Sequence, residues 1–125
     1  METGLVKIMI VDDEPRMCDV LCRILERSGY ETITAFDGET AIKLIKKNRP
    51  DVMLLDLMMP GMNGREVCRQ AREISPATRI IYFTGKSQID AAEKKELRRE
   101  VDAFLTKPAS TTQILSRINS ALAIQ

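Results

Sequence analysis

A rhythm constrains this chain more than any single motif: five short apolar runs alternate with five longer amphipathic stretches. The runs are Lys7–Val11 (KIMIV), Glu31–Phe36 (ETITAF), Val52–Leu55 (VMLL), Arg79–Phe83 (RIIYF) and Ala103–Thr106 (AFLT). They are too short for buried helices, and most are bounded by Gly, Pro or Asp, which marks them as strands. Runs with little polar alternation belong to strands covered on both faces, although Glu31–Phe36 is more amphipathic. Helix-length stretches lie between them at Pro15–Ser28, Gly38–Asn48, Asn63–Glu73, Gln88–Val101 and Ser110–Ile124. The first carries Met17, Val20, Leu21, Ile24 and Leu25 on one stripe, with Pro15 in its first turn and Gly29 as its stop. Strands joined by crossovers of this length pair in parallel, with helices on both faces of the sheet. The expected fold is α/β, a doubly wound five-stranded parallel sheet. No internal repeat, low-complexity tract or linker interrupts the pattern, so residues 1–125 read as one domain. At that length roughly two-thirds of the unfolded surface can be buried.

Composition removes several functions. The chain has no His, which excludes a Ser-His-Asp triad, a Cys-His dyad and any His-bearing zinc site. Nineteen Lys and Arg against eighteen Asp and Glu leave a net charge of +1, without the basic excess of a nucleic-acid binder. Cys18, Cys22 and Cys68 are an odd number with no C-x-x-C pair, so a disulfide scaffold is not expected and a reducing cytoplasm is. Cys18 and Cys22, one helical turn apart, read as small buried hydrophobes rather than a metal or redox pair. The N-terminus has neither a basic nor an apolar signal region, and no apolar run reaches the ~20 residues that span a bilayer.

Ligands of such sheets bind at the carboxyl ends of the strands. Those ends carry Asp12-Asp13-Glu14, Asp56, Thr84-Gly85 and Thr106-Lys107-Pro108. Asp13, just ahead of Pro15, could serve as a helix cap. Asp56 precedes Leu57-Met58-Met59-Pro60, which is no capping context. Three carboxylates at one rim repel each other unless positive charge is placed among them. Lys107 supplies one ammonium, and a hard cation such as Mg2+ suits carboxylate, carbonyl and water ligands. The same pocket suits a phosphoryl group, with Lys107 and the Thr84 hydroxyl on its oxygens and one carboxylate attacking phosphorus.

The fragments IMIVDDEP, DVMLLDLMMPGMNG, IIYFTG and AFLTKP, in this order and spacing, resemble the receiver (CheY-like) domain of two-component response regulators. The likeness runs from Lys7 to about Ile124. It implies a flavodoxin-like sheet in strand order 2-1-3-4-5. It implies that Asp56 is the phosphoacceptor, charged by a sensor histidine kinase or a His-phosphotransfer protein. Asp12, Asp13, Asp56 and the Met58 backbone carbonyl would hold Mg2+, with Mn2+ as an alternative. Lys107 would pair with the phosphoryl group and Thr84 would swing inward to it. Phe104 takes the place of the family's switch aromatic, and the Lys107-Pro108 bond would be cis. Met58 and Lys86 occupy positions that tune water access. The domain would be a phosphoacceptor switch rather than an enzyme in its own right, although family members catalyse their own phosphotransfer and dephosphorylation. Its output would pass through the fourth helix, fifth strand and fifth helix, a face also used for homodimers, to a partner the resemblance does not name.

Three features frame that resemblance. The turn before the fifth strand, usually Gly-Ala, reads Glu100-Val101, which bears on how the fourth helix closes. Lys94, Lys95, Arg98 and Arg99 read as a solvated helix face, with a docking stripe as the alternative. Competing functions fit less well. An aspartyl-phosphate phosphatase commonly has a second Asp two residues after its nucleophile, where Met58 stands. A flavin phosphate would be repelled by Asp12-Asp13-Glu14, and no G-x-x-x-x-G-K-[ST] loop occurs.

Overall fold

The computed structural model describes residues 5–85 and 89–123. Strands and helices alternate throughout: β1 (Lys7–Val11), α1 (Pro15–Arg27), β2 (Glu31–Ala35), α2 (Gly38–Asn48), β3 (Val52–Leu55), α3 (Gly64–Ile74), β4 (Arg79–Gly85), α4 (Ala91–Arg98), β5 (Ala103–Lys107) and α5 (Thr111–Leu122). All neighbouring strands are parallel, in the order β2-β1-β3-β4-β5. This is the expected doubly wound sheet.

Strand alternation divides the core into two layers. Met9, Val11, Met53, Leu55, Ile80 and Tyr82 face one side, where α2, α3 and α4 contribute Ile45, Val67 and Leu97. Ile8, Ile10, Val52, Leu54, Ile81 and Phe83 face the other, against Leu21 and Leu25 of α1 and Ile114 and Ile118 of α5. Both faces of the central strands are therefore dry, the reason their sequences show no polar alternation.

The ends of the elements depart from expectation where capping decides them. Asp37, Asn63, Asp90 and Ser110 each accept a backbone N–H at a helix start, and Ser110 forms a capping box with Gln113. Asp90 thus starts α4 at Ala91, and the helix ends at Arg98, shorter at both ends than the expected 88–101 stretch. Gln88 itself lies outside the described residues. Phe36, expected to close β2, falls beyond it and is exposed. β4 instead runs two residues further than expected, through Thr84 and Gly85.

Candidate functional site

Register brings the acidic residues together. Val11 of β1 lies beside Leu55 of β3, so Asp12 and Asp56, the next residues, leave adjacent parallel strands at the same level. The Asp56 N–H donates to the Val11 carbonyl at 3.0 Å. β1 is flanked by β2 and β3, so this point is also where the connections diverge to opposite sides, the usual site of a crevice. Both carboxylates are buried, Asp12 at 2% and Asp56 at 7% exposure, while Asp13 is exposed. Carboxylate oxygens of Asp12, Asp13 and Asp56 lie within 4.8 Å of one another.

Lys107, from the end of β5, donates to Asp12 Oδ2 at 2.6 Å and to Asp56 Oδ2 at 3.3 Å. Its ammonium also sits 5.5 Å from the centre of the Phe83 ring. Burial acts to lower the Lys107 pKa, but hydrogen bonding to Asp12 and the fields of Asp56 and Asp12 together raise it. The ammonium is therefore held charged. Asp56 Oδ1 accepts the Met58 N–H at 3.0 Å and the Thr84 hydroxyl at 3.2 Å. Asp12 Oδ1 accepts the Glu14 N–H at 3.0 Å. Asp13 does not cap α1: the N-cap position is Glu14, and its side chain makes no capping bond.

Behind Asp56 the chain returns closely. A Cβ on Gly64 would lie 2.5 Å from the Asp56 carbonyl oxygen, so only glycine lets α3 begin there without displacement. Cys18 Sγ donates to the Asp12 carbonyl at 3.4 Å. Burial first, and then the negative field of Asp12, push its thiol up to about 11. Cys22 is half-buried and Cys68 lies on the other face of the sheet, so the cysteines are packing residues, as expected.

Asp12, Asp13, Asp56, Thr84 and Lys107 thus converge as their positions at strand ends indicated. The Lys107-Pro108 bond is cis. Met58 is exposed at the rim, and Lys86 lies outside the described residues. Thr84 and Phe104 stand differently from the expected starting point of a switch. The Thr84 hydroxyl already reaches Asp56, and Phe104 is already buried at 7% exposure, edge-on to Tyr82 with ring centres 6.2 Å apart. Lys95, Arg98 and Arg99 are exposed, as expected of a solvated helix face, while half-buried Lys94 and the Arg98 guanidinium lie 5.5 and 6.0 Å from the Phe104 ring centre.

Glu100 is the residue whose surroundings sequence reasoning missed. It accepts from the Tyr82 hydroxyl at 2.8 Å and from Arg65 Nε at 3.1 Å, and pairs with Arg65 Nη2 as well. Its departure from the family turn was the only signal, since these partners are 18 and 35 residues away.

Comparison with known proteins agrees with this geometry. Residues 8–119 match the model of the response regulator receiver domain. A CheY-like receiver domain protein from Methanospirillum hungatei superimposes with a TM-score of 0.86 at 28% identity, covering 95% of this chain and 94% of that one. The Vibrio cholerae chemotaxis protein CheY4 gives 0.86 and 28%, over 94% and 99% of the two chains. The Thermotoga maritima response regulator TrrA, solved in complex with Mg(2+)-BeF, gives 0.83 and 28%, over 94% and 99%. The chain belongs to the response regulator receiver domain family of two-component systems. Receiver domains interact with histidine kinases and output domains. Among the described residues no helix is long and apolar enough to cross a membrane.

Proposed function

We propose that this domain takes a phosphoryl group onto Asp56 from the phosphohistidine of a sensor kinase or His-phosphotransfer protein, and so changes the surface formed by α4, β5 and α5. The observation that carries this reading is the placement of one ammonium, Lys107, between two buried carboxylates, with the Thr84 hydroxyl on the second. Asp56 Oδ1 is held by two donors, whereas Oδ2 takes only the long contact from Lys107 among the described residues. Oδ2 is therefore the oxygen free to attack phosphorus. A P–O bond forms as the P–N bond breaks, and the electron pair returns to the donor imidazole. The absence of His from residues 1–125 places the donor imidazole outside this domain.

The oxygen donors of Asp12, Asp13 and Asp56, all within 4.8 Å, fit a hard divalent cation, with the Met58 carbonyl as a further ligand. Mg2+, or Mn2+ in its place, would supply charge neutralisation for the oxygens of the incoming group. Lys107 neutralises the same charge from the carboxyl end of β5, and Thr84 offers its hydroxyl to it. An aspartyl phosphate adds about two negative charges at this rim. That charge strengthens the pull on Thr84 and Lys107, which lie at the carboxyl ends of β4 and β5. Through those strands it acts on the seat of Phe104, a two-state change biased by local charge. We take residues 1–125 as one domain acting in the cytoplasm, with Met58 and Lys86 tuning access of water and α4–β5–α5 available for a homodimer or an effector.

Incubation with Mg2+ and acetyl phosphate, followed by intact-mass measurement, is the direct test. One added phosphoryl group is expected, and none in Asp56→Asn or in EDTA. Equal labelling of Asp56→Asn would overturn the assignment.

A further inference from the structure

Glu100 stands where the family turn usually has glycine, and the backbone does not require glycine there: among the described residues, the non-glycine position with positive φ is Arg49. The carboxylate at this turn joins three elements. Tyr82, fully buried on β4, donates its hydroxyl to Glu100 at 2.8 Å. Burial, followed by Cys68 and Glu100, raises the Tyr82 pKa, which keeps the phenol a donor. Arg65, the second residue of α3, pairs with Glu100 and, at 3.7 Å, with Glu96 near the end of α4. Arg72 of α3 adds a bond to the Glu100 carbonyl at 3.2 Å.

These are also the walls of the Phe104 seat. The Tyr82 ring meets Phe104 edge-on at 87°, and α4 covers it with Lys94 and Arg98. α4 has little else to hold it. It buries one side chain, Leu97, where α2 and α3 each bury four residues and α1 and α5 three. An element with so little apolar burial is readily displaced. A polar tie at its C-terminal end therefore weighs more than it would on a deeply buried helix. Arg65 in turn follows Gly64, which packs against the Asp56 backbone, so the tie reaches from the proposed phosphoacceptor loop to the aromatic.

We propose that Glu100, through Tyr82 and Arg65, is a positioning residue that keeps Phe104 buried and biases the domain toward the inward arrangement of Thr84 and Phe104. The inference rests on the receiver switch described above. It gives the Glu100-Val101 departure a regulatory consequence: part of the cost of switching is met in advance by the α3–α4 tie.

The test uses the full chain labelled with 4-fluorophenylalanine, whose three positions, Phe36, Phe83 and Phe104, are assigned by single Phe→Leu variants. Spectra of the wild type, Glu100→Ala and Arg65→Gln are compared with and without Mg2+ and beryllofluoride, a tetrahedral stand-in for the phosphoryl group. In the wild type the Phe104 line should move on adding beryllofluoride by less than it does in either variant. In both variants it should shift or split toward the position of exposed Phe36, and beryllofluoride should restore it. The half-saturating beryllofluoride concentration should rise about five- to tenfold, a typical coupling between linked states. A Phe104 line unchanged in both variants, even with lowered urea stability, would make Glu100 a merely structural residue and overturn the proposal. Should Glu100→Ala fail to fold, Arg65→Gln, whose side chain is 48% exposed, decides alone. Beryllofluoride that moves no line in any protein would instead count against the phosphoacceptor reading, while the spectra without it still decide the tie.

Discussion

The two ends of the sheet both bury polar side chains, yet they do so in opposite ways. Below the amino ends of the strands, the Thr78 hydroxyl donates to the Pro50 carbonyl at 2.6 Å and lies 2.7 Å from the Ser75 hydroxyl. Asp51, which is exposed, accepts the Lys7 N–H at 2.8 Å. The buried groups there are neutral and pair among themselves. At the carboxyl ends, two buried carboxylates share one ammonium, and a third carboxylate, Asp13, stands exposed beside them. Negative charge is left over. The first end closes the fold, and the second is an arrangement that another positive or electrophilic group would complete. Burial of polar residues alone therefore does not mark a functional site; the unbalanced charge does.

Removing the ammonium should break this contrast most visibly. Lys107→Ala leaves Asp12 and Asp56 without their cation, and loss of one partner from a buried ion pair costs about 3–5 kcal/mol. Urea unfolding in EDTA should show that loss, and adding Asp56→Asn to the same variant should recover about 1 kcal/mol or more of it, since one of the two repelling charges is gone. A double variant no more stable than Lys107→Ala would deny the charge imbalance. The pH dependence follows from the raised Lys107 pKa. A lysine whose folded pKa lies above its unfolded value contributes fully below that unfolded value, about 10.4, and loses the contribution as pH rises through the folded one. The gap between wild type and Lys107→Ala should thus be flat from pH 7 to 9 and close only in stronger alkali.

Two isosteric changes sharpen the comparison. Thr78→Val deprives the Pro50 carbonyl and Ser75 of a buried partner and should cost about 1–3 kcal/mol, with no change in the yield of acetyl phosphate labelling. Thr84→Val removes the longer bond to Asp56, 3.2 Å, and should cost at most about 1 kcal/mol while lowering beryllofluoride affinity. Equal effects of the two on labelling would erase the distinction between the ends.

The smallest effect concerns the thiols. Cys18, buried against the Asp12 carbonyl with a pKa near 11, carries little thiolate at pH 8, and Cys68 is buried with its thiol also raised, chiefly by burial. Half-buried Cys22 should be the first alkylated by iodoacetamide in the native protein, as read by peptide mass mapping. Alkylation of Cys18 ahead of Cys22 would mean that the β1–α1 loop opens more readily than this packing allows.

Much of this was readable in one dimension because it depends on local order. The apolar runs of β1, β3 and β4 had no polar alternation because both faces are covered, and chain order alone placed Asp12, Asp56, Thr84 and Lys107 at the carboxyl ends of successive strands. Convergence then follows from parallel pairing, which aligns all those ends on one side. The extents of α4 and β4 were less readable. Asp90 decides where α4 begins through a single capping bond, and the Gly85–Lys107 pairing carries β4 past its apolar run.

By itself, then, the sequence determined the alternation of strand and helix and the chemical character of the rim, since both are carried by residues near their own strand or by covalent order. Tertiary structure alone decided which groups hold the switch aromatic. Glu100 finds Tyr82 and Arg65 only after β4, β5 and α3 have packed, and Phe104 is enclosed by the Tyr82 ring together with Lys94 and Arg98 of α4. Side-chain bonds between residues so far apart leave no periodic trace in the chain. They exist once burial has brought the partners to hydrogen-bonding distance and excluded the water that would otherwise compete.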